Sequence, residues 1–311
     1  MDAENIFDDL RDLTCGPQGL LLTVDFSANP CTDFYDFACG KFAKEHPIPD
    51  EYSSYSPGDQ IQERLLQNLR VMLKNNSASP SKAITFTKMM FGACIDTNKT
   101  KAVKSDELRR SLKEIGDWPI ISPLWDPSKV DLSTFFGKAF RIFAVDSVFG
   151  FGFDTDIRNN AENILSVDQG SLGMGSGTRE FYLDDKQYAP IVSAYKTFIR
   201  NIAQILVSDA NVSISNDQIN ADVDKMFAFE QKLAKIQTPE ENRRNMSDLY
   251  NKRNFEYLNQ IIDSLNMKIL MQNALPKQVY DLLTSGKYQI IIRAMDYLQK
   301  VNDLLKTEDK R

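Results

Sequence analysis

The most specific stretch of the sequence, residues 29–40, reads Asn-Pro-Cys-Thr-Asp-Phe-Tyr-Asp-Phe-Ala-Cys-Gly. It contains Cys31 and Cys39, with acidic and aromatic residues between them. The whole chain has four cysteines, and the other two are Cys15 and Cys94. Cysteine spacing leaves two interpretations open, which are buried thiols and one to two disulfides.

Length and composition limit the function classes. The 311 residues suggest about two domains. The chain has 37 Lys and Arg against 43 Asp and Glu, a net charge of −6, which argues against nucleic acid as a partner. A hydrophobic fraction of 42% excludes wholesale disorder. No apolar run is long enough to predict a membrane-spanning helix, and the first ten residues do not resemble a signal peptide.

The single histidine, His46, restricts the chemistry further. A zinc helix of the form H-E-x-x-H needs two imidazoles one turn apart, so this sequence cannot form one. A Ser or Cys triad would have to use His46 as its base. Because His46 precedes Pro47-Ile48-Pro49, we expect it in a turn or at the surface. We predict no catalytic residue and no metal ligand in this chain.

Apolar residues at helical spacing predict a mainly α fold. The stripes cover residues 61–73, 83–94, 108–115, 135–145, 191–205, 219–233 and 297–305. Cys94 continues the second stripe, so we predict that it lies on a buried helix face. Asp222, Asp224 and Lys225 are predicted to form the solvated face of another helix.

A short β region interrupts the helices. Residues 148–153 read Val-Phe-Gly-Phe-Gly-Phe, with an aromatic residue at every second position, as in a strand. Residues 163–167 are a suitable partner strand, with a turn at 156–161, and residues 288–293 are a further β-like run. The glycine cluster at 173–177 is interpreted as a turn rather than a phosphate loop, because a helix does not follow directly from a strand there.

The stretch 29–40 and several later motifs follow one another along the chain in the order that one known family has. They resemble the N-terminal portion of the neprilysin family of zinc metallopeptidases, which includes endothelin-converting enzyme. The similarity covers roughly residues 14–308. It predicts an N-terminal segment, residues 1–30, followed by a neprilysin-like N-terminal peptidase domain, residues 31–308. The motif residues that carry the resemblance are Cys31, Asp33, Phe34, Tyr35, Cys39, Cys94, Arg179, Tyr182, Arg243, Tyr250 and Asn251.

The resemblance implies a multi-helix lobe with a small β-hairpin and short strands. In the family this lobe closes over the catalytic lobe, and the enclosed chamber admits peptides. The family's H-E-x-x-H helix and glutamate ligand lie beyond the point where this sequence ends. Zinc is therefore expected in the C-terminal half, and this chain alone is expected to be inactive. The implied partners are peptides and a catalytic half, in cis or in trans.

Two departures from the family pattern affect the expected role. Ser54 stands where family members commonly have an arginine that can engage the substrate's C-terminal carboxylate, and a hydroxyl cannot replace that guanidinium. Cysteines matching Cys31, Cys39 and Cys94 pair, in the family, with cysteines of the C-terminal half. These thiols are therefore expected to be unpaired or to pair otherwise.

Four Asn-x-Ser/Thr sequences are predicted glycosylation acceptors: Asn75, Asn98, Asn211 and Asn245. Together with the resemblance, they favour an extracellular protein or a membrane-anchored ectodomain. Two other hypotheses stay open. One is a stand-alone peptide-binding or decoy protein, and the other is a partner subunit that completes a catalytic half supplied by another chain.

Overall fold

A computed structural model describes residues 23–75, 77 and 81–310. Cys15 and most of the predicted N-terminal segment lie outside these residues. The chain divides into two compact units, residues 1–102 and 103–311. The boundary at residue 30 stays a prediction.

The described part of the first unit is helical. Its helices are α1 (Phe34–Glu45), α2 (Pro57–Lys74), α3 (Lys82–Ile95) and α4 (Thr97–Val103), the last of which ends at the boundary with the second unit. Asp33 begins α1, because its carboxylate accepts a hydrogen bond from the Asp36 N–H at 2.9 Å. Ser56 and Asp59 begin α2 with a reciprocal capping box.

The second unit contains most of the helices. They are α5 (Asp106–Ile115), α6 (Leu132–Phe143), α7 (Arg179–Leu183), α8 (Ala189–Ala210), α9 (Asn216–Ile236), α10 (Leu258–Ile261), α11 (Met267–Ala274), α12 (Lys277–Leu283) and α13 (Met295–Thr307). Four short 3₁₀ turns connect them: Pro119–Ile121, Pro127–Lys129, Glu240–Arg243 and Phe255–Tyr257. The predicted mainly α fold is confirmed.

A four-stranded sheet lies in the second unit. Its strands are β1 (Phe149–Asp156), β2 (Asn159–Gln169), β3 (Asn251–Asn254) and β4 (Gln289–Ile292), in the order β1-β2-β4-β3. β1 and β2 form the predicted hairpin, β2 pairs with β4 in parallel, and β4 pairs with β3 in antiparallel direction. Both hairpin strands are longer than predicted, and the turn between them is confined to residues 157 and 158.

The core of the second unit has two parts. One part surrounds the sheet and includes Leu165, Val167, Ile290, Phe255 and Tyr297. The other lies between α8, α9 and the turn Pro119–Ile121. Helices α6 and α11 approach closely at a glycine, because a Cβ on Gly137 would lie 2.3 Å from the Leu270 carbonyl oxygen.

Two predictions about burial are wrong. Cys94 is exposed, because no described element covers the apolar stripe of α3, and neither α2 nor α3 has a buried residue. Asp222 is only 6% exposed, because α9 contacts α7, α8 and α13 and therefore buries more than one face.

Candidate functional site

Helices α2 and α3 of the first unit expose apolar side chains along their whole length. Ten large side chains, which we call the docking face, have exposed fractions between 38% and 68%. They are Leu65, Leu66, Leu69, Val71, Met72, Ile84, Phe86, Met89, Met90 and Ile95. Soluble monomers rarely expose so many large apolar side chains on two neighbouring helices, and exposed apolar surface of this kind is typical of an interaction site.

Three of the predicted cysteines lie in the described part of the first unit. Cys31 and Cys94 are exposed, Cys39 is half-buried, and all three are free in the part of the chain that the structure describes. A disulfide among these three is therefore not present.

The other predicted residues of the first unit also lie near the surface. Phe34 and Tyr35, on the first turn of α1, are 69% and 79% exposed. Ser54 is exposed in the loop before α2. His46 ends α1, where its ring stacks on Phe42 with centroids 4.4 Å apart. The structure therefore places His46 in a helix-terminal turn, away from any catalytic arrangement among the described residues.

The second unit has an open cleft of about 300 Å³ between the glycine-rich loop, residues 170–178, and residues 237–243. Both predicted arginines line it. The Arg179 Nε donates to the Ala234 carbonyl at 2.9 Å, and the Arg243 Nη2 donates to Asp168 Oδ1 at 2.5 Å. The guanidinium group of Arg179 therefore holds one wall of the cleft against α9, and that of Arg243 holds the other wall against the end of β2.

A half-buried carboxylate anchors the glycine-rich loop. Glu230 of α9 accepts hydrogen bonds from the Gly173 N–H at 2.9 Å, the Tyr195 hydroxyl at 3.0 Å and the Tyr182 hydroxyl at 3.2 Å. Burial raises the pKa of Glu230, and the hydrogen bonds from Tyr195, Gly173 and Tyr182 oppose this shift. Burial and the nearby carboxylate also raise the pKa of both tyrosines.

Sequence analysis missed Glu230, although it selected Tyr182. A signal was present, because Glu230 falls three residues after Phe227 and three before Leu233 on the apolar face of α9, and both of these are buried. A glutamate at such a position needs hydrogen-bond donors around it.

Tyr250 and Asn251 attach β3 to the rest of the sheet. The Tyr250 hydroxyl and the Lys252 Nζ both donate to the buried Asp156 carboxylate at 2.9 Å. The pKa of Asp156 is lowered to about 2. The hydrogen bond from the Arg158 N–H contributes most to this shift, and the hydrogen bond from Lys252 contributes next. The Asn251 side chain donates to the backbone of β4 at 3.0 Å. Both motif residues therefore act on the fold of the sheet.

The four glycosylation acceptors are exposed: Asn75, Asn98, Asn211 and Asn245. Asn211 ends α8 with a left-handed backbone conformation, φ 52°. The Asn245 amide donates to Asp248 at 2.9 Å. Their glycosylation stays a prediction.

The described residues do not fit a zinc site. Among them, no three His, Cys, Asp or Glu side chains lie close enough together to hold a metal ion. The family's zinc ligand set is therefore not present in this part of the chain. None of the helices within residues 23–75 and 81–310 is both long and apolar enough to cross a bilayer.

The fold is that of the N-terminal part of a class of zinc metalloproteases. The structure superimposes on the zinc metalloprotease Zmp1 of Mycobacterium tuberculosis, solved in complex with an inhibitor, with a TM-score of 0.72 and 18% identity, covering 92% of this chain and 41% of that one. The model of peptidase family M13, N-terminal portion, matches residues 30–311, and the chain belongs to this family.

Two relatives illustrate the extent of the similarity. Neprilysin-1 of Caenorhabditis elegans is 35% identical over 291 residues, which cover 93% of this chain and 38% of that protein. Membrane metallo-endopeptidase-like 1 of Homo sapiens is 26% identical over 301 residues, covering 94% of this chain and 38% of that protein. The chain thus spans less than half the length of these relatives.

Proposed function

We propose that this chain is the N-terminal, substrate-access part of a neprilysin-like zinc metalloendopeptidase, and that it does not cleave peptides by itself. A catalytic part, supplied in cis or in trans, provides the zinc site. The second unit forms the helical lid over the peptide chamber, and the first unit packs on the catalytic part. The site of action is extracellular, as a secreted or membrane-anchored ectodomain.

The docking face is the observation that carries this proposal. Full burial of a large apolar side chain contributes about 1.5–3 kcal/mol, and these ten side chains are still about half exposed. Covering them would release on the order of 10 kcal/mol before the costs of association. A partner with an extended apolar surface therefore stabilises the first unit strongly, and the family supplies such a partner in its catalytic part.

A chimera tests the proposal in cis. Residues 30–311 of this chain would replace the matched portion of Caenorhabditis elegans Neprilysin-1, and cleavage of a fluorogenic peptide would be measured with and without EDTA. We expect EDTA-sensitive cleavage by the chimera and none by the 311-residue chain alone. The double substitution Phe86→Glu and Met89→Glu should lower the chimera's activity at least about tenfold, because two carboxylates would be buried in an apolar interface.

The matched control is Lys82→Glu, which adds the same charge at an exposed polar position of α3. It should leave the activity within about twofold of the unsubstituted chimera. A Phe86→Glu and Met89→Glu chimera with full activity would contradict the docking role. A folded but inactive chimera would contradict the substrate-access role, and EDTA-sensitive cleavage by the chain alone would contradict its inactivity.

A further inference from the structure

The outward side of α8, in the second unit, has no charged residue. Eleven residues of this helix are exposed, and we call the nine that follow Pro190 the α8 outer face. They are Ile191, Ser193, Ala194, Thr197, Phe198, Asn201, Gln204, Ile205 and Ser208. The solvent-facing side of a surface helix is usually charged or strongly polar. A face of this composition is therefore typical of a contact surface.

Three large apolar side chains run along one side of this face. Ile191, Phe198 and Ile205 are 42%, 62% and 56% exposed. They lie seven residues apart, which is two helical turns, so they form one stripe along a helix of 22 residues. The residues between them are small or uncharged. The stripe resembles one position of a heptad repeat, which packs against a second helix.

The basic residues of α8 point away from this stripe. The Lys196 Nζ contacts Asp224 of α9 at 3.0 Å and lies 4.5 Å from the centre of the Phe227 ring. Arg200 approaches the same Asp224 carboxylate at 3.5 Å. Both cations are therefore engaged with α9, at one edge of the α8 outer face.

We propose that the α8 outer face is a self-association surface, on which a second copy of this chain packs its own α8 in antiparallel direction. The stripe is symmetric about Phe198, with an isoleucine seven residues away on either side. Antiparallel pairing brings Phe198 of both copies to the twofold axis and places Ile191 of one copy against Ile205 of the other. An isologous contact requires this self-complementarity.

The charge and the area of the α8 outer face both fit a second copy of this chain. Two copies of an uncharged face oppose no like charges at the centre of the contact. Lys196 and Arg200 of both copies lie on the other side of the helix, where Asp224 offsets part of their charge. The face is about 33 Å long and about 10 Å wide, so the pair buries on the order of 1,000 Å² in total. That area corresponds to a weak, reversible dimer, strengthened by salt.

Cysteine cross-linking tests the geometry. In the 311-residue chain with its four native cysteines changed to serine, Phe198→Cys should form a disulfide-linked dimer on mild oxidation. Ile191→Cys and Ile205→Cys should each cross-link poorly alone and efficiently when mixed with one another. The matched control is Ala228→Cys, an exposed small residue on α9. Equal cross-linking at Ala228 and Phe198 would overturn the proposal.

Sedimentation of the unmodified chain tests the association itself. The dimer fraction should rise with concentration up to about 200 µM and should rise with salt. Phe198→Glu should give a monomer with an unchanged circular dichroism spectrum. A wild-type chain that stays monomeric would overturn the proposal, as would a dimer that Met89→Glu removes and Phe198→Glu leaves intact. The latter result would assign association to the docking face and leave the proposed function standing.

Discussion

Glu230 shows how one residue determines the local structure of a loop. Its carboxylate is the shared acceptor for a backbone N–H of the glycine-rich loop and for hydroxyls on α7 and α8. The Tyr182 hydroxyl in turn accepts a hydrogen bond from the Met174 N–H at 3.0 Å. Two consecutive amides of the loop are thus held by groups on other elements, and this wall of the cleft has a defined position.

We expect Glu230→Gln to change the pH dependence of stability. Burial raises the folded-state pKa of Glu230 above its ordinary value of 4.5, so the folded protein binds this proton more tightly than the unfolded chain does. The resulting stabilisation is present below the unfolded pKa and is lost as pH rises through the folded pKa. Urea unfolding between pH 4 and 8 should therefore show a wild-type decline that the glutamine variant lacks.

Tyr195→Phe provides the comparison for this experiment. It removes one hydrogen bond that favours the charged carboxylate, so the pKa of Glu230 should rise and the loss of stability with pH should become larger. A difference between wild type and Glu230→Gln that does not change with pH would show that Glu230 does not titrate in this range.

The partners of Glu230 and Asp156 were not predictable from sequence. Tyr182 and Tyr250 were selected by their motifs, but the carboxylates they contact lie 48 and 94 residues away in the chain. Asp156 was assigned to the turn between the two hairpin strands, whereas the structure places it at the end of β1. Only the parallel and antiparallel pairing of distant strands brings Tyr250 and Lys252 to it.

At the scale of elements, two helical glycines make a matched pair. Gly137 on α6 lies against α11, where an added Cβ would be 2.3 Å from the Leu270 carbonyl oxygen and 2.8 Å from the Asn273 Cβ. No described atom lies within 4 Å of a Cβ added to Gly92 on α3. Helix propensity favours alanine at both positions, so any difference in stability between the two Gly→Ala substitutions comes from packing.

We expect Gly137→Ala to destabilise the protein by about 1–2 kcal/mol, because the two helices must move apart. Gly92→Ala should stabilise α3 by up to about 1 kcal/mol. Thermal unfolding followed by circular dichroism would compare the two variants with wild type. An unchanged or raised melting temperature for Gly137→Ala would contradict the close approach of α6 and α11.

Helical periodicity predicted seven of the longer helices, because each carries an apolar stripe over two or more turns. Short helices such as α10 to α12 were missed, since runs of four to eight residues carry too few apolar positions to establish a period. β3 was missed because its sequence, Asn-Lys-Arg-Asn, has no alternation. Periodicity also cannot tell which apolar stripe another element covers. For this reason the prediction that Cys94 is buried was wrong.

At the scale of the whole molecule, the composition of the chain predicts its response to metal removal. The chain has one histidine, and its described residues contain no cluster of metal-binding side chains. We therefore expect the purified chain to contain far less than one zinc per molecule, and EDTA to shift its melting temperature by less than about 1 °C. Elemental analysis and thermal unfolding would measure both. One tightly bound zinc per chain, with a lower melting temperature after chelation, would contradict this expectation.

The pairing of β2 with β4 has a consequence for protein synthesis. Ser166 lies opposite Ile291, so β2 must wait for about 125 further residues to leave the ribosome before its second neighbour exists. During that interval β2 has only β1 beside it, and β3 has no strand to join, because its one neighbour in the sheet is β4. β2 therefore keeps an open strand edge while about 125 residues are translated, and an edge of this kind is prone to aggregation until β4 arrives.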